Sequence, residues 1–526
     1  MKPMSDLLSL LSEHALRCPG QPALICGTEQ ITYGELEDYS SRLALYLDGK
    51  CRHTKNPIVV YGHKHPFMAV CFLACAKAGR PFCPVDTSIP APQLQMILDN
   101  TVPPVVFAVE ALTASCQCHF VLPLEQIRLL LKETRISSRE VSLLTSALKP
   151  SRQEDLFYIL FQAEENGIPR GVEITADCLD RSLDPFVYTQ QETCTEQEVL
   201  PGSRSAVVLN QTPFSFPLSA PNFYAALARC DTLWCLDRKT QTDPELLASS
   251  LRCSRASVFV GTPSFAETCL DLADFCQETL PDLKHFHFCG ELLENKTVQK
   301  LYARFPAARI YNTYGHGETT SAVTQICITP ELARTAGPLP CGSPRSGTFA
   351  EIWDSSSNPV EEGRKGEIVI LGDTVSPGYY KNSFLTKESF FTCIRDGREL
   401  HGYRTGDLGY LLDGVLFCCG RIDLQVKLHG YQVELEDIER NLLRLPQISR
   451  AAVLPKVRNH KVSNLYAWVV CPDKHISDKT YTSRLKEDLL SFLPEHLIPK
   501  KFIFVKQLPV NGSGRLDRQA LEHMVS

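Results

Sequence analysis

Nothing in this 526-residue chain is apolar for long enough to cross a bilayer. The most apolar run, residues 67–76, is half the roughly 20 residues that a membrane-spanning helix needs. Membrane insertion is therefore not expected. The acidic residues Asp6 and Glu13 interrupt the apolar N-terminus, which lacks the unbroken core of a secretory signal. There is no block of like charge either: 54 basic and 60 acidic residues leave a net charge of −6. No nucleic acid is expected as a partner, because phosphate binding leaves a basic footprint. The 22 cysteines are scattered, with no C-x-x-C pair and no Cys/His spacing suited to zinc. Without an export signal they read as reduced, buried small hydrophobes of a cytoplasmic protein, not as a disulfide framework. Internal repeats and low-complexity segments are absent as well.

What is present is the balance of a globular protein, 44% hydrophobic and 22% charged, in a chain longer than one ordinary domain. Leu7, Leu8, Leu11 and Ala15 recur at helical spacing, so the chain opens with an amphipathic helix. Short apolar runs at 57–61, 105–109, 157–161, 206–209, 257–260 and 285–288 read as buried strands. Helical stretches such as 66–78 lie between several of them, and that alternation predicts parallel sheets covered by helices. From residue 366 the strands shorten and Gly-rich turns multiply, the pattern of a small β subdomain. After residue 423 the chain restarts with a helix at 434–443, strands at 451–454 and 465–470, and a helix at 481–493. The expected fold is α/β and α+β. A large N-terminal domain of helix-covered sheets and a β subdomain takes 1–421, and a small, mobile C-terminal α+β lid takes 424–526.

Several short motifs follow one another in a fixed order. Ile31-Thr32-Tyr33-x-Glu35-Leu36 comes first, then Lys77-Ala78-Gly79 leading to Pro84-Val85-Asp86, and Tyr311-Asn312-Thr313-Tyr314-Gly315-x-x-Glu318. Tyr403-Arg404-Thr405-Gly406-Asp407, the run Gly420-Arg421-Ile422-Asp423 through Lys427 to Gly430, and Glu434-x-Glu436-x-Ile438-Glu439 close the series. Alone, an aspartate after Thr-Gly is a turn residue, and Cys289 a core cysteine. As an ordered set they resemble the adenylate-forming superfamily of acyl-CoA synthetases, luciferases and peptide-synthetase adenylation domains, over essentially the whole chain. Val60-Tyr61-Gly62-His63, Leu209-Asn210-Gln211-x-Pro213-Phe214-Ser215-Phe216, Thr262-Pro263-Ser264-Phe265-Ala266-Glu267 and Phe288-Cys289-Gly290-Glu291 are similar to the D-alanine–D-alanyl carrier protein ligases. The glycine-activating ligase of bacterial lipid A modification is the nearest substrate alternative.

The resemblance implies an AMP-forming ligase that uses ATP and Mg²⁺ to adenylate D-alanine or glycine. It then loads the amino acid as a thioester on the phosphopantetheine of a carrier protein, for cell-envelope modification. Attack of a carboxylate on the α-phosphate requires an oriented ribose and offset phosphate charge. The resemblance assigns ATP contacts to Gln162, Ala163, Asn312, Thr313, Tyr314, Gly315, His316, Gly317, Asp407, Cys418, Cys419, Gly420 and Arg421, with Asp407 accepting from the ribose hydroxyls. Glu318 becomes the catalytic Mg²⁺ ligand, a hard oxygen donor suited to that ion. Pro217, Cys289, Ser321 and Arg515 fall at the substrate pocket, Arg515 being also the catalytic cation supplied by the lid, and Asp423 falls at the hinge.

Four positions depart from that pattern. Gln162-Ala163-Glu164-Glu165-Asn166-Gly167 replaces a loop of small residues that lets backbone N–H groups approach phosphates, and Arg170 stands in the usual lysine position. Two carboxylates there would oppose a polyphosphate by about 4 kcal/mol per close pair. Pro217 replaces the aspartate that holds a substrate ammonium, whose loss costs roughly 3–5 kcal/mol for a buried cation. Gly317 replaces a threonine before the Mg²⁺ glutamate, and Arg515 replaces a lysine, a cation with a different geometry. Two readings of different class follow: a working ligase with a diverged loop and pocket, or a catalytically impaired scaffold of the same fold that binds a carrier protein or nucleotide.

Overall fold

The computed structural model describes residues 4–51, 53–112, 120–133, 137–145, 148, 154–162, 168–183, 205–217, 219–395, 397–422, 425–428, 431–458, 461–471, 479–490, 493, 497–512 and 514–524. Ala163, the two glutamates of the expected phosphate loop and the hinge residue Asp423 lie outside the described residues.

The strand Leu156–Gln162 shows why the sheets of the large domain form where they do. Its central residues Phe157, Tyr158, Ile159, Leu160 and Phe161 are all buried, on both faces of the sheet, which is why the run carries no polar alternation. It lies in a six-stranded sheet with Val121–Pro123, Val106–Ala108, Ile58–Tyr61, Phe82–Val85 and Arg170–Thr175. A nine-stranded sheet has Val207–Asn210 and Val258–Gly261 near its centre, with His285–Phe288 and Arg309–Gly315 beyond. The interior pairings of both sheets are parallel, as the alternating pattern predicts. Hairpin-like partners add antiparallel edges: Glu29–Thr32 on Pro22–Cys26, Ala322–Ile328 on Arg309–Gly315, and Arg170–Thr175 on Leu156–Gln162.

The helix Phe67–Lys77 is buried along its whole length, so its sequence is apolar on every side. Its one charge, Lys77, is buried only because Glu37 Oε2 (2.8 Å), Ser40 Oγ (2.8 Å) and Ser41 Oγ (2.9 Å) accept from Nζ. A second core under the nine-stranded sheet is built on aromatic rings, Phe259, Phe265, Phe275, Phe286, Phe288 and Phe305. The β subdomain is a five-stranded antiparallel sheet in which the long strand Arg398–Leu412 pairs with Gly366–Gly372, Phe390–Arg395 and Val415–Arg421.

A fourth sheet belongs to the small C-terminal domain, with strands Gln425–Leu428, Tyr431–Glu434, Arg450–Arg458, Lys461–Val470 and Lys501–Phe504. Its helices Leu435–Leu443 and Lys479–Leu489 close over a separate core of Val433, Leu435, Ile438, Leu442, Leu465, Leu485 and Leu489. A domain with its own core can unfold alone. Leu442 is fully buried there, and Leu442→Ala should cost the small domain about 2–5 kcal/mol through lost burial and the cavity left behind. Calorimetry should show the small domain's transition moving down while the large domain's stays in place. A single transition that shifts as a whole would contradict independent cores.

Candidate active site

In open sheets with parallel strands, ligands gather beyond the carboxyl ends of the strands, where the chain turns into loops. Here those ends carry Gln211 to Pro217 after Val207–Asn210, Thr262 after Val258–Gly261, and Cys289 to Glu291 after His285–Phe288. Of these, Ser215 to Pro217 and Cys289 to Glu291 face a cavity of ≈ 750 Å³ whose other walls come from the β subdomain and the small domain. That volume suits a nucleotide-sized ligand.

One end of the cavity is organised by Asp407, a carboxylate only 5% exposed. Tyr314 Oη donates to its Oδ2 at 2.8 Å, and His316 Nε2 stands 2.7 Å from the same oxygen. Arg421 Nη1 donates to Oδ1 at 3.2 Å and to the Thr405 carbonyl at 2.9 Å. Burial pushes this carboxyl up, but His316, Arg421 and the Tyr314 hydroxyl outweigh it and hold Asp407 below its usual range. Asp407 and Arg421 face each other because they are register partners on adjoining antiparallel strands. Asn312 is fixed beside them by donating to the Pro340 carbonyl at 2.8 Å, and Thr313 by donating to the Phe288 carbonyl at 2.7 Å.

Glu318 forms a second corner and is 2% exposed. Tyr379 Oη donates to its Oε1 at 3.1 Å, and Arg170 Nη2 reaches the same oxygen at 3.3 Å. The Arg170 guanidinium also lies 4.6 Å from the centre of the Tyr379 ring. The turn that carries Glu318 is held tightly: Thr320, a β-branched residue, adopts φ +67° there, a conformation that L residues of this kind avoid. Its backbone N–H donates to the Gly317 carbonyl at 2.9 Å and its hydroxyl to the Thr374 carbonyl at 2.7 Å.

The small domain closes the third side. Glu291 accepts from the backbone N–H of Ser264 at 3.0 Å and from that of Leu516 at 3.3 Å, joining the two domains through one carboxylate. The adjacent Arg515 lays its guanidinium 4.7 Å from the centre of the Phe216 ring. This approach requires Gly290, whose φ is +90° and where a Cβ would stand 3.2 Å from Arg515 Nη2. Arg450 pairs with Asp271 at 3.0 Å, and Glu436 Oε2 accepts from the Arg421 N–H at 2.9 Å, along the same boundary.

The cavity thus brings together most residues that the sequence singles out. Gln162, Pro217, Cys289, Asn312, Thr313, Tyr314, Gly315, His316, Gly317, Glu318, Ser321, Asp407, Cys418, Gly420, Arg421 and Arg515 all line it. Cys419 is the exception. It is buried but not in the lining: it is the extra residue at a register shift, between Gly420 and Cys418, which pair with Leu408 and Gly409. Sequence reasoning missed Tyr379 and gave the motif residues Tyr403, Glu291 and Glu436 no role at the site; Tyr379, Glu291 and Glu436 find partners far along the chain. It also missed that His316 pairs with Asp407, across 91 residues.

The chain belongs to the AMP-binding enzyme family: that family's model matches residues 11–380, and the model of the AMP-binding enzyme C-terminal domain matches 437–515. Within the family it is similar to proteins named D-alanine--D-alanyl carrier protein ligase. The one from Bacillus licheniformis is 36% identical across 99% of both chains, and that of Bacillus cereus (strain G9842) is 37% identical across 98% of both. Among solved structures, Klebsiella oxytoca NpsA in complex with 3-hydroxyanthranilyl-AMSN has a TM-score of 0.82 at 21% identity, covering 100% of this chain and 99% of that one. ATP-bound MatB from Rhodopseudomonas palustris has a TM-score of 0.78 at 21% identity, covering 98% of each chain. These two likenesses establish the fold.

The domain boundary should respond to pH. Burial pushes Glu294 of the large domain up to about 7, with Glu439 and Glu267 adding to the shift and Arg440 opposing it. Burial likewise pushes Glu436 of the small domain up to about 7, with Glu439 and Asp407 adding while the Arg421 N–H and Arg518 oppose. Separating the domains would remove the Glu439 charge from Glu294 and the Asp407 charge from Glu436 and re-expose what the other domain covers, so the docked arrangement binds protons more readily. Docking should be strongest below the lower range in which the separated carboxyls titrate and weaken as pH rises through 7. Fluorophores placed on the two domains should report less docking at pH 8 than at pH 6, and Glu294→Gln with Glu436→Gln should flatten the profile. Docking that tightens with pH would contradict this assignment.

Proposed function

We propose that the chain is an ATP-dependent, AMP-forming ligase that adenylates a small amino acid, D-alanine or glycine, and transfers it to the phosphopantetheine of a carrier protein in the cytoplasm. The observation that carries this reading is the meeting, in one cavity, of the small domain's Arg515 with the buried carboxylates Asp407 and Glu318 of the large domain. End-to-end similarity to proteins named for that reaction supports the choice of substrate and partner. Among the described residues no helix is long and apolar enough to cross a membrane. We place the domain division at 1–421 and 424–526, with Asp423 as the hinge between them.

In this reading Asp407, kept ionised by its neighbours, accepts from the two ribose hydroxyls, and Asn312 through Gly317 form the shelf for adenine and the α-phosphate. An oxygen of the amino acid's carboxylate attacks the α-phosphorus. A P–O bond breaks on the opposite side and pyrophosphate leaves with the electron pair. The forked cation of Arg515 holds the attacking carboxylate and a phosphate oxygen together, which a planar guanidinium can do with two parallel hydrogen bonds. The carrier's thiol sulfur then attacks the acyl carbon, AMP departs, and the thiol proton passes to solvent.

The residues present fit a divalent cation brought in by the nucleotide. No group of three or more His, Cys, Asp or Glu forms a protein cage among the described residues, which suits Mg²⁺ held by one carboxylate and the phosphates. Glu318 would be that ligand, oriented by Tyr379 and Arg170, both of which bond its Oε1. When bound, the ion would offset charge on the transferring phosphate.

Pro217 offers no carboxylate to the substrate's ammonium. The Ser321 hydroxyl, whose oxygen is buried without a partner among the described residues, is a neutral acceptor in the same cavity. The test is exchange of labelled pyrophosphate into ATP with a panel of small amino acids, followed by loading of holo carrier protein. D-alanine or glycine should support both. No exchange with any of the panel would overturn the ligase reading in favour of a nucleotide-binding scaffold. Pro217→Asp should lower KM for the amino acid about tenfold, the 1.4 kcal/mol of a modest ion pair, with little change in KM for ATP.

A further inference from the structure

The side chains of Gln162 and Pro217 occupy the space that a side chain at residue 317 would need. A Cβ built on Gly317 would stand 2.5 Å from Gln162 Nε2 and 3.0 Å from Pro217 Cγ. Real Cβ atoms essentially never come as close as the first distance, so a side chain at 317 would have to displace the Gln162 carboxamide, the free end of a flexible side chain. These three residues come from three separate parts of the chain: the last residue of the strand Leu156–Gln162, the loop after Val207–Asn210, and the start of the turn Gly317–Thr319. Three of the four sequence departures named above therefore touch the same small volume, because Gln162 opens the altered loop.

The carboxamide of Gln162 makes no hydrogen bond among the described residues, although it lines the cavity and is only partly exposed. Polar side chains held against a wall without a protein partner are suited to a ligand. The Gln162 amide nitrogen, the atom nearest Gly317, would donate to an acceptor on the ligand. Glu318, the residue after Gly317, is already engaged with Tyr379 and Arg170. A nucleotide in this cavity would bring phosphate oxygens, which are acceptors, to this corner.

We propose that Gln162, Pro217 and Gly317 act as one coupled unit, in which the Gln162 carboxamide hydrogen-bonds an α-phosphate oxygen of ATP and of the acyl adenylate across the bare Gly317. Pro217 walls the carboxamide on its other side, and Gly317 is the smallest residue because the amide fills the place of its side chain. The proposal rests on the nucleotide occupying this cavity, as in the reading above. It adds that residues 162 and 317 are alternatives: one of them supplies the polar side chain at this point, and both cannot.

A double-mutant cycle tests it, with binding of ATP and of a non-hydrolysable acyl-adenylate analogue measured by calorimetry beside kcat/KM for ATP. Gln162→Ser should weaken analogue binding and lower kcat/KM about tenfold, the loss of one hydrogen bond to a charged oxygen. Gly317→Thr should lower both by tenfold or more through the collision. Gln162→Ser combined with Gly317→Thr should recover to within about threefold of the unaltered chain, since the hydroxyl then has room and takes over the bond. Losses that simply add in the double variant, or a Gln162→Ser variant indistinguishable from the unaltered chain, would overturn the coupling. Should Gly317→Thr fail to fold, Gly317→Ala keeps the collision with a single methyl group, and its rescue by Gln162→Ser reads the same coupling. Failure of the unaltered chain to bind ATP at all would overturn the reading of the cavity along with this inference, whereas normal ATP binding with an additive cycle overturns the inference alone.

Discussion

A carboxylate buried in a protein must be matched by donors and positive charge, or it will not stay ionised. Asp407 is such a group, and the architecture around the cavity is arranged to match it. Tyr314 and His316 come from the end of a strand in the nine-stranded sheet, and Arg421 comes from the last strand of the β subdomain. Neither part can move far from the other without leaving the charge unpaired. Arg421 ends the last strand of the β subdomain, so this contact lies where the chain passes toward the small domain.

The remaining polar chemistry is distributed by the same rule. Glu318 and Glu291 are carboxylates near the cavity, and each is tied to partners from distant segments. Glu291 differs in that one of its partners, the Leu516 N–H, belongs to the small domain, so its satisfaction depends on docking. This makes the position of Arg515 conditional: the guanidinium reaches Phe216 and Gly290 only in the docked arrangement. The third wall of the cavity thus comes from a domain with its own core, while the buried pairs of Asp407 and Glu318 lie within the large domain.

How legible this was in the sequence depended on the range of the interactions. Strands such as Ile58–Tyr61 and helices such as Phe67–Lys77 announce themselves through continuous apolar runs, because burial on all sides removes any need for polar residues. The motif residues of the cavity were legible because they cluster within short segments, as Asn312 through Glu318 do. The face on which a residue lies is harder to read. Cys418 and Cys419 are adjacent and chemically identical, yet only the first lines the cavity, and the register shift that leaves Cys419 unpaired has no local signal. Antiparallel edges on otherwise parallel sheets were equally hidden, since a short apolar run has the same composition in either direction.

The sequence by itself determined the class of fold, the two-domain plan and the set of polar residues from which the site is built, because each follows from local periodicity or from short motifs in a fixed order. Only the tertiary structure decided which of those residues are partners. His316 with Asp407, Arg170 with Glu318, and Gln162 against Gly317 are separated by 91, 148 and 155 residues, and no local rule connects them. The physical reason is that hydrogen bonds, ion pairs and steric exclusion act over a few ångströms in space, and distance along the chain does not enter them. Gly317 is the plainest case: its own chain neighbours leave room for a side chain, and that room is taken by the ends of two remote side chains, Gln162 and Pro217.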